Sequence, residues 1–182
     1  MQHQPNVGAE PALSLSKGHA LLCGMLRLLY RVAVFATSAR VVVTGWSMHP
    51  TLVAGEYVLF NRLAYVRSGP KRGDVVLARG LLEGRRAMIK RVVGVAGDTV
   101  QLSQGVVTVN DMPIERASSQ EELTSQEHGL WTLKQDECFL LGDAMDMSTD
   151  SRSFGPVSRQ AVKARAWLVY WPPSRWRRLD TE

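Results

Sequence analysis

The chain reads as a mainly β protein: an antiparallel β domain preceded by an N-terminal membrane-associated helix. Three observations predict it. From Val41 onward, short apolar runs rich in β-branched residues recur at strand length. Turn signals punctuate them at Gly55, Gly69-Pro70, Gly73-Asp74, Gly97-Asp98, Asn110-Asp111 and Gly155-Pro156. Ahead of this pattern, residues 21–43 form the most hydrophobic stretch of the chain. At 182 residues with 45% hydrophobic and 21% charged content, the chain suits one compact domain plus extensions and is too apolar for wholesale disorder.

In chain order, residues 1–20 are polar and broken by Pro and Gly, and are expected to be a flexible leader. Residues 21–43, LLCGMLRLLYRVAVFATSARVVV, come close to the roughly 20 residues needed to cross a bilayer. Arg27 and Arg31 share one helical face, where each would cost about 2.5 to 3.5 kcal/mol at mid-bilayer unless it snorkelled. An amphipathic interfacial helix and a short, imperfect span are therefore both open, with a buried soluble helix third. A cleavable signal peptide is disfavoured, because charges interrupt the apolar run and no clear small-x-small site ends it.

The strand candidates that follow are VVVTGW, EYVLFNRL, GDVVLAR, AMIKRVVGV, DTVQLS, VVTVN, ECFLLGD and ARAWLVYW. Gln104-Gly105 between the fifth and sixth predicts a hairpin turn. Residues 116–134 are polar, acidic and Ser-rich and are expected to leave the sheet. Residues 172–182 form a basic tail whose Trp176 and arginines suit a membrane–water interface or an ordinary surface.

Charge and cysteine usage narrow the function classes. Residues 1–43 carry four basic residues against one acidic, residues 44–157 twelve against fourteen, and residues 158–182 six against two. Basic ends around apolar segments suit an anionic membrane surface, and no nucleic-acid partner is expected. Cys23 and Cys138 make neither a disulfide framework nor a metal site and read as apolar fillers. The four histidines lack zinc spacing, so no metal and no cofactor are expected.

Two polar residues stand where chemistry can be done. Ser47, in Gly45-Trp46-Ser47-Met48-His49-Pro50-Thr51-Leu52, sits where a strand ends in a turn and can be presented to a cleft. A serine needs a neighbouring base to become a nucleophile. The nearby His49 is disfavoured as that base by its place in the same short segment, and its position also breaks the G-x-S-x-G elbow. Lys90, inside the apolar run Met88-Ile89-Lys90-Arg91-Val92-Val93, is the better base, because burial disfavours ammonium and frees a neutral amine near neutral pH. A third segment, residues 142–157, has the look of a solvated polar loop, and no Glu closes it as a calcium loop.

Taken together, SMHPTL, GDVV, KRVVGVAGDTV and GDxxxxSTDSRxxGPV, in that order, closely resemble signal peptidase I, including its mitochondrial inner-membrane relatives. The likeness spans residues 44–171 and is weakest over 116–134. It implies a signal-peptidase-like antiparallel β catalytic domain and a serine endopeptidase that removes signal peptides from exported or membrane preproteins. On this resemblance Ser47 is the nucleophile and Lys90 the general base, and Ser148 orients the lysine. Asp143 with Arg91, and Asp150 with Arg152, are the charged pairs that hold the scaffold. Met48, Met88 and Ile89 fall where substrate would bind, and the backbone N–H of Ser47 would donate to the oxyanion. The implied partners are preprotein signal peptides and membrane lipid, at a cell inner membrane with the catalytic domain extracytoplasmic; a mitochondrial inner membrane is the less favoured setting.

There are two departures from the family pattern: Gly45 replaces a hydroxyl residue that serves some members as second oxyanion donor, and Ala144-Met145 replaces a common Asn-Arg. Two rivals remain. A LexA-type self-cleaving regulator shares a related Ser/Lys arrangement but needs a DNA-binding domain or an Ala-Gly-type site ahead of the serine, where only about forty largely apolar residues stand. A basic β-domain that binds membrane or nucleic acid without catalysis is the other.

Overall fold

The computed structural model describes residues 14–81, 87–114 and 128–179, and the chain divides into two compact units, Met1–Ala36 and Thr37–Glu182. The first is helical over its described residues. Helix α1 runs over Ser14–Thr37, and its stretch Ala20–Thr37 is long and apolar enough to cross a membrane. Leu21, Met25, Leu28, Val32 and Phe35 are all exposed on it, and so is Cys23, which fills no core.

This helix is displaced from the expected 21–43 at both ends. It begins within the segment expected to be a leader, since Gly18 costs a helix only about 1 kcal/mol and does not stop it. It ends before Arg40-Val41-Val42-Val43, because three consecutive valines lose side-chain freedom in a helix and pack better on a pleated surface. Residues 1–13 of the expected leader lie outside the described residues.

In the second unit the strands are β1 (Ala39–Val42), β2 (Tyr57–Asn61), β3 (Val75–Arg79), β4 (Ala87–Gly94), β5 (Thr99–Ser103) and β6 (Val106–Val109). They continue as β7 (Met112–Pro113), β8 (Gly129–Thr132), β9 (Glu137–Leu141), β10 (Val157–Ser158), β11 (Val162–Trp171) and β12 (Arg177–Arg178), with a single helical turn α2 (Ser151–Phe154) before β10. The main sheet has the order β1-β2-β11-β3-β4-β9-β10, with β12 added to β11; a smaller sheet has the order β7-β6-β5-β8. Every pairing is antiparallel.

The unbroken apolar run Val75-Val76-Leu77-Ala78 is explained by burial on both faces. Val75 and Leu77 enter one core with Met48, Leu52, Val58, Phe60, Ala166 and Val169, while Val76 and Ala78 enter another with Val92, Cys138, Leu140 and Val157. The smaller sheet alternates instead. Its Val100, Leu102, Val107 and Val109 pack on Val93, Phe139 and Leu141 of the main sheet, and Gln101 faces out. The hairpin turn at Gln104-Gly105 has φ of 50° and 77°, the two positive values that a tight turn matching strand twist requires.

Two segments expected to lie off the sheet contribute strands. Within 116–134, Gly129–Thr132 pairs with β5, while residues 116–127 lie outside the described residues. The basic tail folds back: Arg177 and Arg178 pair with Val169 and Leu168, and Leu179 packs into the first core.

Candidate active site

The chain after β1 keeps pairing for one more residue, with hydrogen bonds from Val43 N to Glu56 O and from Gly55 N to Val43 O, both 2.8 Å. It then turns over residues 46–52, closed by His49 N to Trp46 O at 2.9 Å and Leu52 N to Met48 O at 2.8 Å. Met48 and Leu52 are 1% and 0% exposed and pin this turn to the core. Pinning by burial leaves Ser47 at the surface of a cleft that it shares with Val41, Val43, Gly45, Met48, Leu77, Met88, Ile89 and Lys90. His49 is exposed, rests against the Trp46 ring, and does not line this cleft.

Lys90 enters from β4 and is 2% exposed. Its Nζ donates to Ser148 Oγ at 2.8 Å, and Ser148 Oγ donates to Asp150 Oδ2 at 2.6 Å. Burial pushes the Lys90 ammonium below the usual lysine range; Asp150 pulls it back, Arg152 adds to the fall, and Asp143 opposes it. Desolvation wins, so a neutral amine becomes available in a cleft that also holds a serine hydroxyl.

Asp150 is fully buried and serves as the hub beneath the lysine. Its Oδ2 accepts from Ser148, from Gly142 N at 3.0 Å and from Arg152 Nη2 at 3.1 Å, and its Oδ1 from Arg152 Nε at 2.9 Å. Arg152 also donates to Met145 O and Ser148 O, so one guanidinium closes the loop on itself. The other predicted pair is bidentate: Arg91 Nε and Nη2 donate to Asp143 Oδ1 and Oδ2 at 2.9 and 2.6 Å. Arg91 further reaches Gly73 O and Thr51 Oγ1, each at 3.0 Å.

The 142–150 loop meets the serine turn directly. Ala144 N donates to Ser47 O at 3.1 Å. A Cβ on Gly142 would stand 2.2 Å from Ser148 Oγ and 2.5 Å from Ser47 O, so only glycine lets the two segments approach this closely. Ser47, Lys90, Ser148, Asp150, Arg152, Asp143 and Arg91 thus converge, with Met48, Met88 and Ile89 on the cleft wall. The sequence did not single out Gly142, Thr51, Glu56 or Arg177 for any role. For Gly142 the signal was present, a glycine opening a polar loop that carries the lysine's partner; for Glu56 and Arg177, 121 residues apart, there was none.

An amine whose neutral form is favoured by burial, held by a hydroxyl in the wall of a cleft that contains a second serine, has the parts needed for proton transfer and acyl transfer. The chain is also similar to known proteins. Residues 16–171 match the family described as signal peptidase, peptidase S26. A signal peptidase I of Leptolyngbya laminosa is 31% identical over 180 residues, covering 92% of this chain and 88% of its own. The mitochondrial ATP-independent inner membrane protease subunit 1a of Arabidopsis thaliana is 33% identical over 132 residues, 72% of this chain and 69% of its own. A crystal structure of a signal peptidase I from Enterococcus faecalis aligns with 53% of this chain and 95% of its own, at 23% identity and a TM-score of 0.44.

Proposed function

The chain belongs to the signal peptidase (peptidase S26) family and is a signal-peptidase-I-like serine endopeptidase, and from that premise we propose that Ser47 and Lys90 form its catalytic dyad. The observation that carries the assignment is a fully enclosed Lys90 amine lining the same cleft as Ser47 and donating to Ser148. In this mechanism Ser47 Oγ attacks the scissile carbonyl as Lys90 Nζ takes its proton. Lys90 then returns the proton to the leaving amine, and water attacks the acyl-enzyme with Lys90 again as base. Ser148 and Asp150 hold the amine in place, and the Ser47 N–H is a donor to the developing oxyanion.

Substrate would lie extended along the cleft. Residues 41–45 and 87–90 form its two sides, and β4 pairs with β9 only from Arg91 onward, so the edge of residues 87–90 is open on that side among the described residues. An added strand can pair there and drop alternate side chains towards Met48, Met88 and Ile89. The substrate class is the signal peptides of exported or membrane preproteins. Helix α1 would hold the enzyme at a membrane, at the bacterial inner membrane with the β unit on the extracytoplasmic side, where such cleavage sites emerge.

The test is cleavage of a fluorogenic signal-sequence peptide with an Ala-x-Ala site, in detergent. Ser47→Ala and Lys90→Ala should each lose activity by about 10² to 10⁴-fold or more while circular dichroism stays native. Full activity in Lys90→Ala would sink the dyad.

A further inference from the structure

Glu56 opens the strand after the serine turn and is 2% exposed, a burial that an unpaired carboxylate does not tolerate. Four donors meet it. Oε2 accepts from Val53 N at 3.0 Å and Arg177 Nη2 at 3.0 Å, and Oε1 from Arg175 Nε at 2.6 Å and Arg177 Nη1 at 2.7 Å. Burial alone would raise the Glu56 carboxyl; hydrogen bonds from Arg177 and Val53 outweigh it and hold the group ionised below the usual carboxylate range.

Arg177 also reaches beyond the carboxylate, since its Nη2 donates to Thr51 O. Thr51 is therefore held twice, through its carbonyl by Arg177 and through its hydroxyl by Arg91, which also pairs with Asp143. Asp143 lies beside Ala144, whose N–H holds Ser47 O. The turn that carries Ser47 is thus fastened at its start by the 142–144 loop and at its end by residues from the C-terminal segment 172–179.

We propose that Glu56 and Arg177 are positioning residues for the nucleophile: the carboxylate orients the guanidinium fork, the fork fixes Thr51 O, and this sets the placement of Ser47 against Lys90. The C-terminal segment is then a working part of the active site. The inference rests on Ser47 being the nucleophile, and neither Glu56 nor Arg177 touches substrate. Displacing a reacting atom by about 1 Å can cost as much as 10²-fold in rate, so the effect belongs in kcat.

The experiment measures kcat, KM and the melting temperature of the full chain in detergent for Arg177→Met, Arg177→Lys, Glu56→Gln and the Glu56→Gln/Arg177→Met double variant. Rates are taken per folded molecule, and Ser47→Ala is run in parallel. Arg178→Ala, exposed on the same short strand, is the control expected to keep wild-type rates. Arg177→Met should lower kcat about 10-fold or more with KM within about two-fold, the signature of lost placement rather than lost binding. Arg177→Lys should be intermediate, because an ammonium reaches one of the two acceptors but lacks the fork. The double variant should be no slower than the slower single, as members of one network are not additive.

An unchanged kcat per folded molecule, a loss confined to KM, or multiplicative losses in the double variant would overturn the proposal. If Arg177→Met does not fold, Arg177→Lys and Glu56→Gln carry the same test at temperatures below their melting points. Retained activity in Ser47→Ala would instead remove the nucleophile assignment beneath it, an outcome distinct from an inactive Ser47→Ala with an unaffected Arg177→Met.

Discussion

Lys90, the proposed general base, shows what burying an amine costs a fold. The folded protein holds its pKa below the unfolded value, so between the two values the unfolded chain binds more protons and stability rises with pH. Below the folded pKa the full penalty is present. Lys90→Met should therefore abolish catalysis and yet raise stability at pH 7 by on the order of 1 kcal/mol, read as a higher melting temperature. In the wild type, kcat/KM should climb with pH through an inflection below the ordinary lysine range, since in the proposed dyad only the free amine can accept the Ser47 proton. A melting temperature that falls in Lys90→Met would show that the ammonium is stabilised by Asp150 and Asp143 more than burial penalises it. At this scale the sequence was legible where residue type and chemistry coincide. A lysine in an apolar strand, a serine at a strand end and a polar loop rich in Ser, Asp and Arg are conspicuous in one dimension. Glu56 and Arg177 are ordinary charges whose meaning comes from proximity, which no local pattern encodes.

Among the elements, turn chemistry was read more securely than helix ends. Glycines marked the places where the backbone needs positive φ, and Gly55, Gly73, Gly97, Gly105 and Gly155 all adopt it. Gln104 adopts it too, at φ 50°, where a side chain is a burden. Gln104→Asn should stabilise the β5–β6 hairpin by about 0.5 kcal/mol, because Asn-Gly is the favoured pair for this turn. A thermal melt checks it, and a lower melting temperature would mean that the Gln104 side chain makes a compensating contact. The end of α1 was misjudged because apolar periodicity cannot distinguish the close of a helix from the start of a strand when the sequence passes from Ala-Val-Phe-Ala into Val-Val-Val. Strand β8 was missed for the opposite reason. Gly129-Leu130-Trp131-Thr132 is short and lies in polar surroundings, and what holds it to the sheet is a distant partner, the Trp131 ring packing at a tilt against Phe139 with centroids 5.0 Å apart.

For the whole molecule, the division at residue 36 separates two kinds of solubility. The β unit has its own cores and buries its own charged hubs, Glu56, Asp74, Asp98, Asp143 and Asp150, whereas α1 exposes its leucines. A chain starting at Thr37 keeps Ser38, whose Oγ accepts from Trp167 Nε1 at 3.1 Å. It should fold, cleave the peptide substrate in detergent within about tenfold of the full chain, and lose co-sedimentation with anionic vesicles. Undiminished sedimentation would relocate the membrane contact to the β unit.

The sheet order carries a consequence for timing. Ser47 belongs to the β1–β2 end and Lys90 to the β3–β4 side, and the strand between them, β11, comes after both in chain order. A nascent chain that has already exposed both dyad residues still lacks the strand that joins their two halves, and the segment bearing Arg177 follows later still. On the proposed dyad, the two residues can be brought together only once β11 has been made, so the order of the strands ties assembly of the site to a strand that comes later in the chain than either of them.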